Sequence, residues 1–421
     1  LIGYWVKSKN PILQSKPSTQ LTIFCTRAVF TMYVFDNFDP EIFLDYHWQK
    51  RPAVFRRTFA KFVDPLDEHE LAGLAQDPRI DSRVVSYTSP NWQVEHGPIN
   101  DFEQACQGRW SLLVQSVDQH ISDADALIRM FNFIPYWRLD DLMVSFSNEG
   151  AGVGPHLDQY DVFIIQGKGS RRWKAGEKGE YSTYRPHADL TQITEFEPTI
   201  DEVLLPGDMI YIPAGCPHNG VALEDCMNYS VGFRAPTQQD LLSSLADYSI
   251  DLGLFKKRYQ DENLTPRRDP SELAPSEINS FRTMLHEVID SPKFDRWLSC
   301  HFSDTQLNQG YDPQHNPDYS LEEILTLFDQ HTVFERQPGI RPIYLAKHDP
   351  AQSLEIFIEG QAYFAPAKHV TEVRKMLKMP SWQYNIEGDD ATPLSVNHFW
   401  VHLLCELVNA GAWLPQEKTE F

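Results

Sequence analysis

Between residues 139 and 236 the chain is written in short β-segments broken by glycine and proline, and no other stretch limits the fold so tightly. "DDLMVSFS" alternates, "YDVFIIQG" is a nearly unbroken apolar run, and "RRWKAG" follows a Gly-Lys-Gly-Ser turn. "EVLLPGDMIYIPAG" sets a Pro-Gly-Asp turn between two strands, and "NYSVGFRAP" closes the series. Many short strands at close spacing, with turns between them, predict a sandwich or jelly roll.

The flanks read differently. From Phe35 to about residue 130 the pattern is mixed, with a short helix expected at "DEHELAGLAQ". A longer helix is expected across "WSLLVQSVDQHISDADALIRMF", where Leu112, Val114, Val117 and Ile121 recur at roughly helical spacing. After Pro236, "TQQDLLSSLADYSIDL" opens with a cap at Thr237 and repeats Leu241, Leu245, Tyr248 and Leu252 along one face. "SEINSFRTMLHEVID" does the same with Ile278, Phe281, Leu285 and Val288. From about residue 311 come the helix "SLEEILTLFDQ", the strands "TVFERQPGIRPIYLAKH" and "SLEIFIEGQAYFAP", and the helices "VTEVRKMLKM" and "VNHFWVHLLCELVNAGAWL". Helices flanking a hairpin suggest a winged-helix-like module. Its 8 Lys and Arg against 16 Asp and Glu favour a protein contact over phosphate.

The 421 residues exceed what one core usually organises. A formal charge of −22 repels nucleic acid and attracts basic partners, so a cationic protein is the expected partner. Six scattered cysteines without C-x-x-C spacing read as reduced thiols in a cytoplasm, and no apolar run is long enough to span a membrane. Residues 1–31 carry Lys7, Lys9, Lys16 and Arg27 but no acid; they read as a non-native or disordered extension, with Met32 as the natural start.

Chemistry concentrates in "GPHLDQYD". On a strand, His156 and Asp158 share a face and Leu157 takes the other. A third ligand is offered by His218 in "PGDMIYIPAGCPHNG". Gly207, five residues, Pro213, four residues and His218 form a second cupin motif, and Gly150 stands ahead of His156 as the first motif requires. Two histidines and one carboxylate on one side of an ion leave open positions, the arrangement of non-haem Fe(II) oxygenases. Zinc would accept the same donors and support hydrolysis. An oxygenase using 2-oxoglutarate also needs a cation for the distal carboxylate, and Arg171, on the strand after the "GKGS" turn, can grip one with two parallel hydrogen bonds. In the preceding strand Asp141, Met143, Ser145 and Ser147 share a face; Ser145 could complete the carboxylate site, and Asp141 and Met143 could face a substrate. His187, in "YRPHADL", reads as a loop residue.

"FLDYHWQKRPAVFRR", "WRLDDLMVSFS", "GVGPHLDQYDVFIIQGKGSRRWKAGEK" and "PGDMIYIPAGCPHNGVALEDCMNYSVGFRAP" together resemble the YcfD/RoxA family of bacterial JmjC-type ribosomal oxygenases. The resemblance implies a mostly β fold with α: a cupin/JmjC double-stranded β-helix over 32–236, a helical dimerisation region over 237–310, and a winged-helix-like domain over 311–421. It implies hydroxylation of an arginine side chain in a large-subunit ribosomal protein, dependent on Fe(II), 2-oxoglutarate and O2, by a cytoplasmic homodimer with no direct contact to nucleic acid or membrane. His156, Asp158 and His218 take the metal positions, Arg171 and Ser145 the co-substrate positions, and Asp141, Met143 and Tyr160 cradle the substrate arginine. Two other readings share the motifs: a JmjC-type demethylase, and a non-catalytic metal-binding cupin.

Overall fold

The computed structural model describes residues 33–304, 318–345, 353–384 and 394–416. The segment 1–31, Met32 and the expected boundary at 310/311 lie outside the described residues. The chain divides after Arg234 into two compact units.

Among the described residues the first unit carries fourteen strands: β1 (Ala53–Phe55), β2 (Ser82–Thr88), β3 (Asn91–His96), β4 (Arg109–Val114), β5 (Leu139–Ser147), β6 (His156–Leu157), β7 (Asp161–Gln166), β8 (Arg171–Ala175), β9 (Thr183–His187), β10 (Leu190–Ile193), β11 (Ile200–Leu204), β12 (Met209–Ile212), β13 (Pro217–Ala222) and β14 (Cys226–Phe233). Eight form one sheet in the order β1-β12-β7-β14-β5-β4-β2-β3, four form a second in the order β11-β8-β13-β6, and β9 and β10 form a hairpin. Ladders such as β14 with β5 and β13 with β8 run antiparallel.

The apolar run of β7 follows from its place in the larger sheet. Val162 and Ile164 join Trp173 and Ala175 of β8 and Ile210 and Ile212 of β12 in a core between the two sheets. Phe163 and Ile165 point the other way, into a core with Phe43, Leu71 and Phe131 from the helical side. A strand covered on both faces has no polar positions to alternate with, so it reads as continuous hydrophobicity. This is the jelly roll expected from the sequence, with helices laid on its outer face.

The same reason overturns the long helix expected across 110–131. Residues 109–114 are strand β4, paired with both β2 and β5. Leu112 and Val114 pack in the helix-side core, while the Ser111 hydroxyl meets that of Ser147 at 2.7 Å across the ladder to β5. A strand buried on both sides satisfies any spacing rule, including the helical one. Helix is confined to two 3₁₀ turns, Val117–Gln119 and Arg129–Phe131, and to Ser122–Ile128 between them. His187 also differs from expectation: it ends strand β9 and is not in a loop.

In the second unit, the helix Gln238–Asp251 opens with a capping box in which Thr237 and Asp240 satisfy each other's backbone N–H groups. It and the helix Pro275–Ile289 bury none of their residues, whereas Pro292–Ser303 buries Trp297. Farther on, Ile324, Phe334, Met376, Leu404 and Trp413 share one core. Each expected strand from 332 to 365 resolves into two, because positive-φ Gly339 and Gly360 turn the chain between Val333–Arg336 and Ile343–Tyr344, and between Leu354–Ile358 and Gln361–Ala365. The last expected helix stops at Asn409, and Trp413–Pro415 continues as a strand beside Val333–Arg336. Among the described residues no helix is long and apolar enough to cross a membrane.

Candidate metal centre

Strand pairing brings the two histidines together. β6 and β13 are antiparallel with His156 directly opposite His218, and their ring centroids lie 4.1 Å apart. β6 is only two residues long, so Asp158 lies just past its end, where its carbonyl accepts from Gly215 N at 2.8 Å. That bond ties the acid to the turn that delivers His218. The side chain reaches the pair regardless: Asp158 Oδ2 is 3.4 Å from His218 Nε2, and Oδ1 is 3.9 Å from His156 Nε2. Leu157, expected on the opposite face, lines the same cavity because the strand gives out there.

The donor set is prepared for a cation. His156 Nδ1 lies 2.9 Å from the Gly154 carbonyl and His218 Nδ1 3.2 Å from that of Cys216. A carbonyl only accepts, so both Nδ1 atoms carry the proton and both Nε2 atoms keep a lone pair for an ion. Burial, with the charge of His218 second, pushes the His156 imidazole down to about 4. Burial would raise the Asp158 carboxyl, but its contact with the His218 ring and the nearness of the His156 ring hold it at about 2. At neutral pH His156 therefore presents a neutral nitrogen and Asp158 a carboxylate. Candidate ligand atoms from all three lie within 4.8 Å of one another, and no other such group of three occurs among the described residues. Small side-chain shifts bring them to bond lengths of ~2.0–2.2 Å.

Two glycines make room. Gly154 has φ +82°, and a Cβ there would stand 2.1 Å from Gln192 Nε2. Gly220, two residues after His218 on the same strand face, has the Trp173 ring where a Cβ would be, at 2.7 Å.

The centre opens into a cavity of about 260 Å³. In its wall Arg171 is 5% exposed and lies over the Trp173 ring at 5.4 Å from the centroid. Its Nη1 donates to Asn228 Oδ1 at 2.8 Å and its Nη2 to Ser147 Oγ at 3.1 Å. Asn228 is oriented in turn, because its Nδ2 donates to Gln166 Oε1 at 2.7 Å. Burial pushes the Arg171 guanidinium below its usual range, and no described carboxylate pairs with it. A buried cation held only by neutral acceptors is a seat for an anion.

Met143, Ser145 and Tyr160 line this cavity with the triad and Arg171. The hydroxyl that meets Arg171 belongs to Ser147, not to Ser145. Asp141 is not in the lining; its carboxylate accepts from Ser116 N at 2.9 Å. Its charge still reaches Tyr160, whose phenol is pushed up by burial first and then by Asp158, Asp141 and Asp140. Sequence reasoning missed Asn228, Trp173 and Arg83. Trp173 had a signal, since it shares a strand face with Arg171; Asn228 and Arg83 had none without the register.

Residues 126–241 match the JmjC domain family. The chain is 40% identical over 373 residues to the ribosomal protein uL16 3-hydroxylase of Escherichia coli (strain K12), covering 88% of this chain and 96% of that one. The X-ray structure of E. coli ycfD matches with a TM-score of 0.82 at 40% identity, over 91% of this chain and 100% of that one. A second structure, YcfD, a ribosomal oxygenase from E. coli, in complex with cobalt and 2-oxoglutarate, matches with a TM-score of 0.79 at 39% identity over the same shares.

Proposed function

The chain belongs to the YcfD family of JmjC-type ribosomal oxygenases, and from that premise we propose that it hydroxylates an arginine side chain of a large-subunit ribosomal protein, with Fe(II) held by His156, Asp158 and His218. It is a 2-oxoglutarate-dependent ribosomal oxygenase, and its hydroxylation uses O2. The observation that carries the oxygenase reading is a single cavity lined by the His-Asp-His set and by a buried arginine that no described carboxylate pairs with.

Bound Fe(II), with 2-oxoglutarate and O2, supplies the oxidising power that places one oxygen atom in a C–H bond, leaving succinate and carbon dioxide. The protein's part is placement. Asp158 and the two Nε2 atoms would hold the ion at the wall of the cavity. Arg171, aligned by Asn228 and Ser147, takes the far carboxylate of 2-oxoglutarate, with Ser145 beside it. Val162, Ile164 and Leu113 keep that end apolar and limit bulk water. Met143 and the Tyr160 ring flank the stem of the substrate arginine, and the charge of Asp141 favours its guanidinium. The net charge of −22 helps collect a free, basic ribosomal protein, in keeping with a reaction in the cytoplasm before assembly on rRNA.

Incubation with Fe(II), 2-oxoglutarate and a digest-ready ribosomal protein set is expected to raise one arginine-containing peptide by the mass of one oxygen atom, with matching succinate. Release of formaldehyde in place of that gain would make the protein a demethylase. No turnover above background would leave a metal-binding cupin.

The homodimer rests on the second unit. Leu242 is 68% exposed, Ile250 76%, Phe281 45%, Leu285 66% and Ile289 49%, all on the two helices that bury nothing. Apolar side chains on that scale mark a protein contact, here a second copy through residues 237–310. Light scattering is expected to give a dimer for the wild type and a monomer for L242E/L285E. A monomeric wild type would remove this part of the reading.

A further inference from the structure

Arg83 is unaccounted for by the roles above. It lies on β2, where it and Val85 face the cavity while Val84 between them packs into the helix-side core. It stands opposite Leu113 on β4, Leu113 opposite Ser145 on β5, and Ser145 opposite Asn228 on β14. One row across the sheet thus starts at one guanidinium and ends at the side chain that holds the other, that of Arg171. Neighbouring strands are about 4.8 Å apart, so the β2 backbone at Arg83 lies about 10 Å from that of Ser145. An extended arginine covers much of that span.

Its neighbours leave it available. Arg138 pairs with Asp161 and Arg172 with Asp201. Asp189, which also lines the cavity, is placed against His96 at 3.5 Å and His187 at 3.7 Å. The half-buried Arg83 guanidinium has neither a hydrogen bond nor an ion pair with any described residue. It lines the same cavity as His156, Asp158 and His218. A cation in this position opposes a cationic substrate side chain and favours an anion beside the metal.

We propose that Arg83 is a second anion-binding residue of the cavity, receiving the metal-end carboxylate of the dicarboxylate co-substrate while Arg171 receives the distal one. The proposal rests on the oxygenase reading of the site. It also sets an order: the dianion neutralises Arg83 first, and only then does the wall accept the substrate guanidinium.

The test is calorimetric titration of 2-oxoglutarate, under argon, into Co(II)-loaded wild type, Arg83→Gln, Arg83→Lys and, as an outer-face control, Arg172→Gln. Arg83→Gln is expected to weaken 2-oxoglutarate binding at least about tenfold, the loss of one charge-assisted bond. Arg83→Lys should recover part of it, and Arg172→Gln should match wild type. Cobalt affinity and melting temperature should stay level across the set, which separates an anion contact from a damaged fold. Binding of a substrate peptide without 2-oxoglutarate should tighten in Arg83→Gln. Unchanged 2-oxoglutarate affinity in Arg83→Gln, or an effect confined to peptide KM, overturns the proposal. A wild type that binds neither cobalt nor 2-oxoglutarate removes the oxygenase reading and this proposal with it, a pattern distinct from failure of Arg83 alone.

Discussion

Arg171→Met is expected to raise the KM for 2-oxoglutarate by about a hundredfold while leaving metal affinity within a few-fold of wild type. The guanidinium is 5% exposed and is held by Asn228 and Ser147, so it is already fixed where a carboxylate must dock. Removing one partner of a buried charge pair costs about 2–5 kcal/mol, and about 2.8 kcal/mol, in the lower half of that range, is about a hundredfold in affinity. Methionine fills most of the vacated volume, so the loss reports the charge and its fork more than a cavity. Arg171→Lys should fall between the two, since an ammonium keeps the charge but cannot make paired parallel bonds. Equal KM values in wild type and Arg171→Met would show that the co-substrate is anchored elsewhere.

The second large effect concerns the acid of the triad. Asp158→Ala should bind ferrous iron more than about a hundredfold more weakly and lose measurable turnover. Even an outer-shell partner of a metal ligand is worth ~10–100-fold, and Asp158 supplies the only negative charge among the three donors. Asp158→Asn keeps shape but removes charge, and it should fail nearly as badly. Fold stability should hardly move, because the contact that ties this turn together is the Asp158 backbone carbonyl with Gly215 N, and no side-chain substitution removes it. Iron assays on the metal-loaded protein, paired with thermal melts, separate a lost ligand from a lost fold.

The sequence made some of this legible and hid the rest for identifiable reasons. His156, Asp158 and His218 stand out because metal donors sit next to turn glycines and prolines that no ordinary strand end needs, and the structure brings all three together. The jelly roll was readable from turn spacing. β4 was not, because Leu112 and Val114 serve one face, Ser111 and Leu113 the other, and a doubly buried strand carries no alternation. Asn228 and Arg83 were silent for a different reason. Each acquires a role only through the register of distant strands, and register is a property of the whole sheet. Asp141 sits in the period-two series with Met143 and Ser145, yet the nearby backbone N–H of Ser116 takes its carboxylate. Periodicity names a face; it does not say which side chains reach the cavity.

Anaerobic titration with Co(II), followed by X-ray absorption at the cobalt edge, tests the centre most directly. Wild type should bind one ion per chain in a shell of oxygen and nitrogen at ~2.0–2.2 Å with two imidazoles resolved, and the spectrum should shift when 2-oxoglutarate is added. The variant H156A/D158A/H218A should bind none. If that variant took up cobalt with the wild-type stoichiometry and spectrum, the ion would lie elsewhere and the centre described here would not be the seat of the chemistry.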